Sequence, residues 1–117
     1  MNSHAAAARC LLGEESSVMD EVLNDLNVAS ISPKMKALLQ IAAKVQLGGK
    51  HVTKDDVDTA KKEGATDREI HDAVLIAAAF CMFNRYVDGL DSFTPTDPEE
   101  YKPMGERMAR NGYQPPK

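Results

Sequence analysis

The longest apolar run of the chain spans residues 73–83, where no side chain is polar. Thr66, followed three residues later by Glu69, is a capping box and predicts that a helix begins there. A helix that is apolar on all sides must be surrounded by protein or lipid, and a membrane span needs about 20 apolar residues, roughly twice this run. We therefore predict that residues 73–83 form the central and most buried helix of a protein domain.

Further helices are predicted by start signals, end signals and helical spacing of apolar residues. They cover residues 3–12, 18–26, 33–47, 54–63 and 101–111, and the last is expected to be broken early by Pro103 and Gly105. No stretch alternates as a strand would. The predicted fold class is all-α, with about five to six helices around a central apolar helix.

Length and composition indicate one domain over residues 1–117, with a tail at 113–117. The net charge is -4 and the 14 basic residues are scattered, which argues against nucleic-acid or membrane partners. Cys10 and Cys81 lie far apart in a chain without a secretory segment, so we expect a cytoplasmic protein. Three histidines without shared spacing predict no metal site, and no cofactor is indicated.

Several motifs together resemble the carboxymuconolactone decarboxylase and alkylhydroperoxidase D-like family, particularly its peroxidase-related branch. These are the segment SPKMKALLQIAAKV, the turn GATDREI, Asn84-Arg85 with Asp88-Gly89, and a C-terminal Met-Gly…Gly-Tyr. The resemblance extends over nearly the whole chain. It implies a small alkylhydroperoxidase D-like helical subunit that forms a homo-oligomer, and thiol-dependent reduction of hydroperoxides, an antioxidant activity. The small-molecule substrate is not indicated.

The redox site of that family is a Cys-x-x-Cys with a histidine four residues after the second cysteine. His4 matches this histidine, which in the family lies beside a thiolate and lowers its pKa. The matching cysteine positions precede Met1, so both thiols are absent, and we expect that upstream sequence is missing. His4 is then either a vestigial catalytic residue or a solvent-exposed histidine at a helix start.

The two cysteines present do not replace the missing pair. Cys10 follows His4 by six residues, about 240° around a helix, so the two side chains do not share a face. We predict that Cys10 is a small buried thiol rather than a substitute nucleophile, and that Cys81 is inert in the core.

The end of the predicted central helix carries a polar cluster of Asn84, Arg85 and Asp88. Arg85 and Asp88 are three residues apart and could pair along the helix. The cluster is interpreted either as a polar group that closes the core or forms a subunit contact, or as an anion or substrate site. His51, in a loop, and His71, on the first turn of the helix, are predicted to be solvent-exposed.

The sequence thus predicts a peroxidase-type family member that is inactive as given because the thiol pair is absent. Two alternatives remain open. One is a non-catalytic, oligomeric binding or scaffold protein that uses the central helix as its interface, and the other is a cysteine-independent relative on the decarboxylase side of the family.

Overall fold

A computed structural model describes residues 2–114 and contains, over that range, six α-helices, three short 3-10 helices and no strand. The all-α prediction is confirmed. The α-helices are α1 Asn2–Leu12, α2 Ser17–Asn24, α3 Pro33–Leu47, α4 Lys54–Lys62, α5 Asp67–Gly89 and α6 Lys102–Asn111; the 3-10 helices are Gly13–Glu15, Gly49–His51 and Pro98–Tyr101.

The chain divides into two compact units. The middle unit is Ser30–Ser92 and holds α3, α4 and α5. The terminal unit combines the described residues up to Ala29 with those from Phe93 onward, and holds α1, α2 and α6.

Helices α4 and α5 of the middle unit begin at reciprocal capping boxes. The Thr66 N–H donates to Glu69 Oε2 (2.8 Å) and the Glu69 N–H donates to Thr66 Oγ1 (3.1 Å). Thr53 and Asp56 form the same arrangement at α4. These bonds satisfy amide groups that have no partner within a helix, so they place the helix starts where the sequence predicts them.

Both capping carboxylates also pair with lysines of α3. Lys44 Nζ lies 2.6 Å from Asp56, and Lys34 Nζ lies 2.9 Å from Glu69. Each carboxylate therefore caps the start of one helix and also forms an ion pair with α3. The two ion pairs hold the first turns of α4 and α5 against α3.

The core of the middle unit is aliphatic and lies where α4 and the first turns of α5 meet α3. Ile41 of α3 is completely buried. The buried members of the cluster are Ala37, Leu38, Ile41, Ala60, Ala65 and Ile70.

The prediction that residues 73–83 are the most buried segment is wrong. Ile70 is the buried residue of α5, whereas Leu75, Ile76 and Phe83 are each more than half exposed. The physical reason is that α3 and α4 cover one side of α5, mainly along its first half. An apolar run shows that a helix needs covering, but it carries no information on how much other chain is available to cover it.

Helices α1 and α6 of the terminal unit approach so closely that Gly105 has no room for a side chain. A Cβ atom at Gly105 would lie 2.5 Å from Ala6 Cβ and 2.7 Å from the Ala6 carbonyl carbon. The prediction that Pro103 and Gly105 break the last helix is also wrong. Pro103 sits in the first turn of α6, where no amide partner is required, and Gly105 is the position at which α1 crosses.

Other polar contacts position the remaining parts of the terminal unit. The Tyr101 hydroxyl donates to the Pro95 carbonyl (2.6 Å), and Arg9 of α1 pairs with Asp20 of α2 (2.7 Å). Of the predicted tail, Tyr113 and Gln114 are described and the last three positions lie outside the described residues.

Candidate functional site

His4 lies in the first turn of α1, half-buried, with hydroxyl groups at both ring nitrogens. Its Nε2 is 3.1 Å from Tyr113 Oη, and its Nδ1 is 3.4 Å from Ser3 Oγ. The His4 and Tyr113 rings are also in contact, with centroids 5.7 Å apart. His4, the histidine predicted from the family motif, therefore contacts a residue near the C-terminal end of the described chain.

Partial burial lowers the pKa of the His4 imidazole below its usual 6.5. This shift favours the neutral ring, in which one nitrogen can accept a proton. That protonation state suits a group that receives a proton from a neighbouring acid. The ring nitrogens of His4 contact the hydroxyl groups of Ser3 and Tyr113.

Both cysteines are free thiols in different environments. Cys10 is exposed, so the prediction that it is buried is wrong. The reason is that α6 crosses α1 at Ala6 and Ala7, one turn before Cys10, and leaves the end of α1 uncovered. Cys81 is half-buried in the middle unit and lines a cavity rather than the core cluster.

The cavity of the middle unit has a volume of about 550 Å³. Its walls come from the end of α3, the 3-10 helix Gly49–His51 with the residue after it, and one face of α5. The lining side chains are mainly aliphatic, and Arg85 is the charged residue among those that belong to the described chain. The lining residues are Val45, Gln46, Gly48, Gly49, Val52, Val74, Ala78, Cys81, Met82 and Arg85.

The three residues of the predicted polar cluster differ in their surroundings. Asn84, Arg85 and Asp88 are all exposed on the last turns of α5, but of the three only Arg85 lines the cavity. Among the ion pairs of residues 2–114, none joins Arg85 to Asp88. Arg85 instead shares a helix face with Cys81, one turn earlier, a grouping visible in the four-residue spacing but missed by the sequence analysis.

A family model described as "Carboxymuconolactone decarboxylase family" matches residues 14–94, more than half of the chain. The chain belongs to the carboxymuconolactone decarboxylase family. No curated protein and no solved structure matches it.

The match to the carboxymuconolactone decarboxylase family is narrower than the predicted resemblance. It includes the whole middle unit with its cavity, and ends before α6. His4 and Tyr113 both lie outside the matched residues. Family membership therefore supports the fold of the middle unit, while a role for His4 rests on the local motif.

The two other histidines are exposed, as predicted. His51 lies in the 3-10 helix after α3, and His71 lies on the first turns of α5 with its Nδ1 3.1 Å from Asp72 Oδ1. Within the described part of the chain, α5 is the helix that is long and apolar enough to cross a membrane by length and composition alone. This is weak evidence, because core helices of soluble proteins meet the same criterion.

Proposed function

We propose that this family member is a helical subunit of the peroxidase-related type that does not reduce hydroperoxides with its own thiols. The observation that carries the proposal is the setting of His4, whose ring contacts the hydroxyls of Ser3 and Tyr113. The lowered pKa of His4 favours the neutral imidazole, which can accept a proton from a neighbouring acid. The resemblance implies a histidine beside a thiol at this position. A reductase of this kind also needs two neighbouring thiols.

The chemistry explains that need. One thiolate attacks the O–O bond of the hydroperoxide, forming a sulfenic acid and releasing an alcohol, and a second thiol then displaces water to form a disulfide. Cys10 and Cys81 are the only cysteines of the 117-residue sequence, and they do not form a Cys-x-x-Cys. They also belong to different compact units. We therefore expect no dithiol turnover from this chain.

A peroxidase assay tests this proposal. The protein, dithiothreitol and an organic hydroperoxide are combined, and hydroperoxide loss is followed for the wild type and the Cys10→Ser, Cys81→Ser and double variants. All four proteins should give the same rate as buffer with dithiothreitol. Turnover by the wild type that is lost in either single variant would refute the proposal.

We further propose that the chain forms a homo-oligomer through α5. The supporting observation is an uncovered stripe of uncharged side chains on and just after this helix, each between 55% and 67% exposed: Leu75, Ile76, Met82, Phe83, Tyr86 and Leu90. Large contiguous apolar patches are rare on soluble monomers. A second copy is the favoured occupant, because an uncharged stripe can face its own twofold copy without like-charge repulsion.

Light scattering at micromolar concentration tests the oligomer. Ile76→Glu should reduce the mass to that of a 12.8 kDa monomer, because facing copies would bury two like charges. Leu47→Glu is the matched control, since Leu47 is exposed in the same unit but lies outside the stripe. A wild type that is monomeric, or that floats with phosphatidylcholine vesicles instead of self-associating, would refute a protein partner for the stripe.

A further inference from the structure

We propose that the cavity of the middle unit binds a small amphipathic carboxylate, with Arg85 holding the carboxylate and the aliphatic walls enclosing the hydrocarbon part. This proposal is independent of any redox activity, because it concerns residues 45–85 and makes no use of His4. It assigns a ligand class to a cavity that lies wholly inside one compact unit.

The α5 wall of the cavity is one continuous helix face. Val74, Ala78, Cys81 and Arg85 follow one another at intervals of four, three and four residues, which places them in a row at about 100° per residue. The row is apolar for its first three positions and ends in a guanidinium group. A ligand lying along it would meet apolar surface first and positive charge at one end.

The uncovered stripe is on the other side of the same helix. Ile76 follows Val74 by two residues and Phe83 follows Cys81 by two residues, a rotation of about 200° in each case. Met82 lies at the edge between the cavity wall and the stripe, and belongs to both the cavity lining and the stripe. A second copy centred on Ile76 and Phe83 would therefore leave the opposite face of α5 available. The two surfaces of α5 can serve different partners.

Arg85 lacks the carboxylate partner that several other cations of the middle unit have. Lys44, Lys61 and Arg68 of the same unit each lie within 4 Å of an aspartate oxygen. Within the described chain no such pair is formed by Arg85, although the protein is acidic overall. A guanidinium presents parallel N–H donors that match the two oxygens of a carboxylate.

The volume and wall chemistry favour a small molecule. A cavity of about 550 Å³ is within the range of small-molecule sites, roughly 300–1,000 Å³, which are typically apolar with a few polar groups that fix orientation. Gln46, on the α3 side, supplies a second polar side chain. A monocarboxylate with an unbranched alkyl chain satisfies the single charge and the long apolar row.

Cys81 provides a direct readout, because its thiol lines the cavity and is half-buried. In a Cys10→Ser background Cys81 is the sole thiol, and its alkylation by neutral iodoacetamide can be timed. Decanoate, used below its micelle concentration, should slow the alkylation in a saturable manner. Methyl decanoate, which has the same chain without the charge, should protect much more weakly.

Variants distinguish the contribution of the Arg85 charge to ligand binding from that of the apolar wall. Arg85→Gln should weaken protection by decanoate by roughly tenfold or more, the loss expected for one charge-assisted contact, and leave the effect of methyl decanoate unchanged. Arg85→Lys should fall between the two. Arg68→Gln, on the same helix but outside the cavity, is the matched control, and Ala78→Leu should abolish protection by filling the wall.

Two results would overturn the proposal. The first is equal protection by decanoate and its ester that Arg85→Gln does not change, since this would show partition into an apolar surface only. The second is alkylation that decanoate leaves unchanged but that slows as protein concentration rises, since this would show that a second copy fills the cavity. Circular dichroism of each variant, compared with that of the parent, excludes loss of fold as the cause.

Discussion

The two compact units of this protein pack their helices in opposite ways. In the terminal unit, α1 and α6 meet where side chains are smallest, and Gly105 faces Ala6 at a distance that excludes even a methyl group. In the middle unit, α3 meets α4 and α5 through an aliphatic cluster of leucine, isoleucine and alanine side chains around the fully buried Ile41. The first contact brings backbones close together, and the second fills the space between them.

This difference determines which changes each unit tolerates. A backbone contact without side chains is disrupted by added volume, because neither helix can move away without losing the contact. A filled aliphatic core is disrupted by removed volume, because the remaining cavity is not fully closed by relaxation. The two units should therefore respond in opposite ways to added and removed volume.

Truncating a side chain of α5 should destabilise the middle unit only where that side chain is buried. Ile70→Ala should lower the free energy of unfolding by about 2–5 kcal/mol, as for other isoleucines truncated in a core. Ile76→Ala, on the same helix but 57% exposed, should change it by no more than about 0.5 kcal/mol. Urea denaturation at low protein concentration, where the proposed oligomer would dissociate, measures both. Equal losses would show that both sides of α5 are buried.

Adding a side chain at the contact between α1 and α6 should destabilise the terminal unit. Gly105→Ala should lower stability by about 1–3 kcal/mol, because the new methyl group collides with Ala6. Gly89→Ala is the control, since a Cβ there meets nothing within 4 Å, and it should be neutral or stabilising by up to about 1 kcal/mol. Hydrogen exchange should show the Gly105→Ala loss in α1 and α6. A loss confined to α3 and α5 would contradict the contrast between the units.

Low pH should weaken the ion pair between Lys44 of α3 and Asp56 of α4. The hydrogen bond from Lys44, with those from Thr53, lowers the pKa of Asp56 from 3.8 to about 2. Because the folded-state pKa lies below the unfolded value, the stabilisation is complete above about pH 4 and is lost as the pH falls through about 2.

The measurement is the melting temperature between pH 5 and pH 2. Asp56→Asn should melt lower at pH 5 and should lose less than the wild type on acidification. Asp55→Asn, which removes a charge from the same turn, should keep the slope of the wild type. An unchanged slope in Asp56→Asn would show that this carboxylate does not contribute to the acid response.

The helix starts could be predicted from the sequence because their causes are local. Ser32, Thr53 and Thr66 each accept a hydrogen bond from an amide three residues later, so the residues needed are adjacent in the sequence. The family could be predicted for the same reason, since its motifs are short and keep their order along the chain. The all-α fold follows from these signals together with the helical spacing of apolar residues.

Only the tertiary structure shows which faces of these helices are buried against other helices and which are exposed. The exposure of Cys10, the need for glycine at position 105 and the uncovered stripe of α5 all depend on residues distant in the sequence. The site shows the same division: His4 could be proposed from a motif, but its contact with Tyr113 spans the chain. The placement of Arg85 at an aliphatic cavity required α3 to be folded against α5. A local pattern specifies that a helix forms and which faces are apolar, whereas contacts between distant segments decide which of those faces is covered.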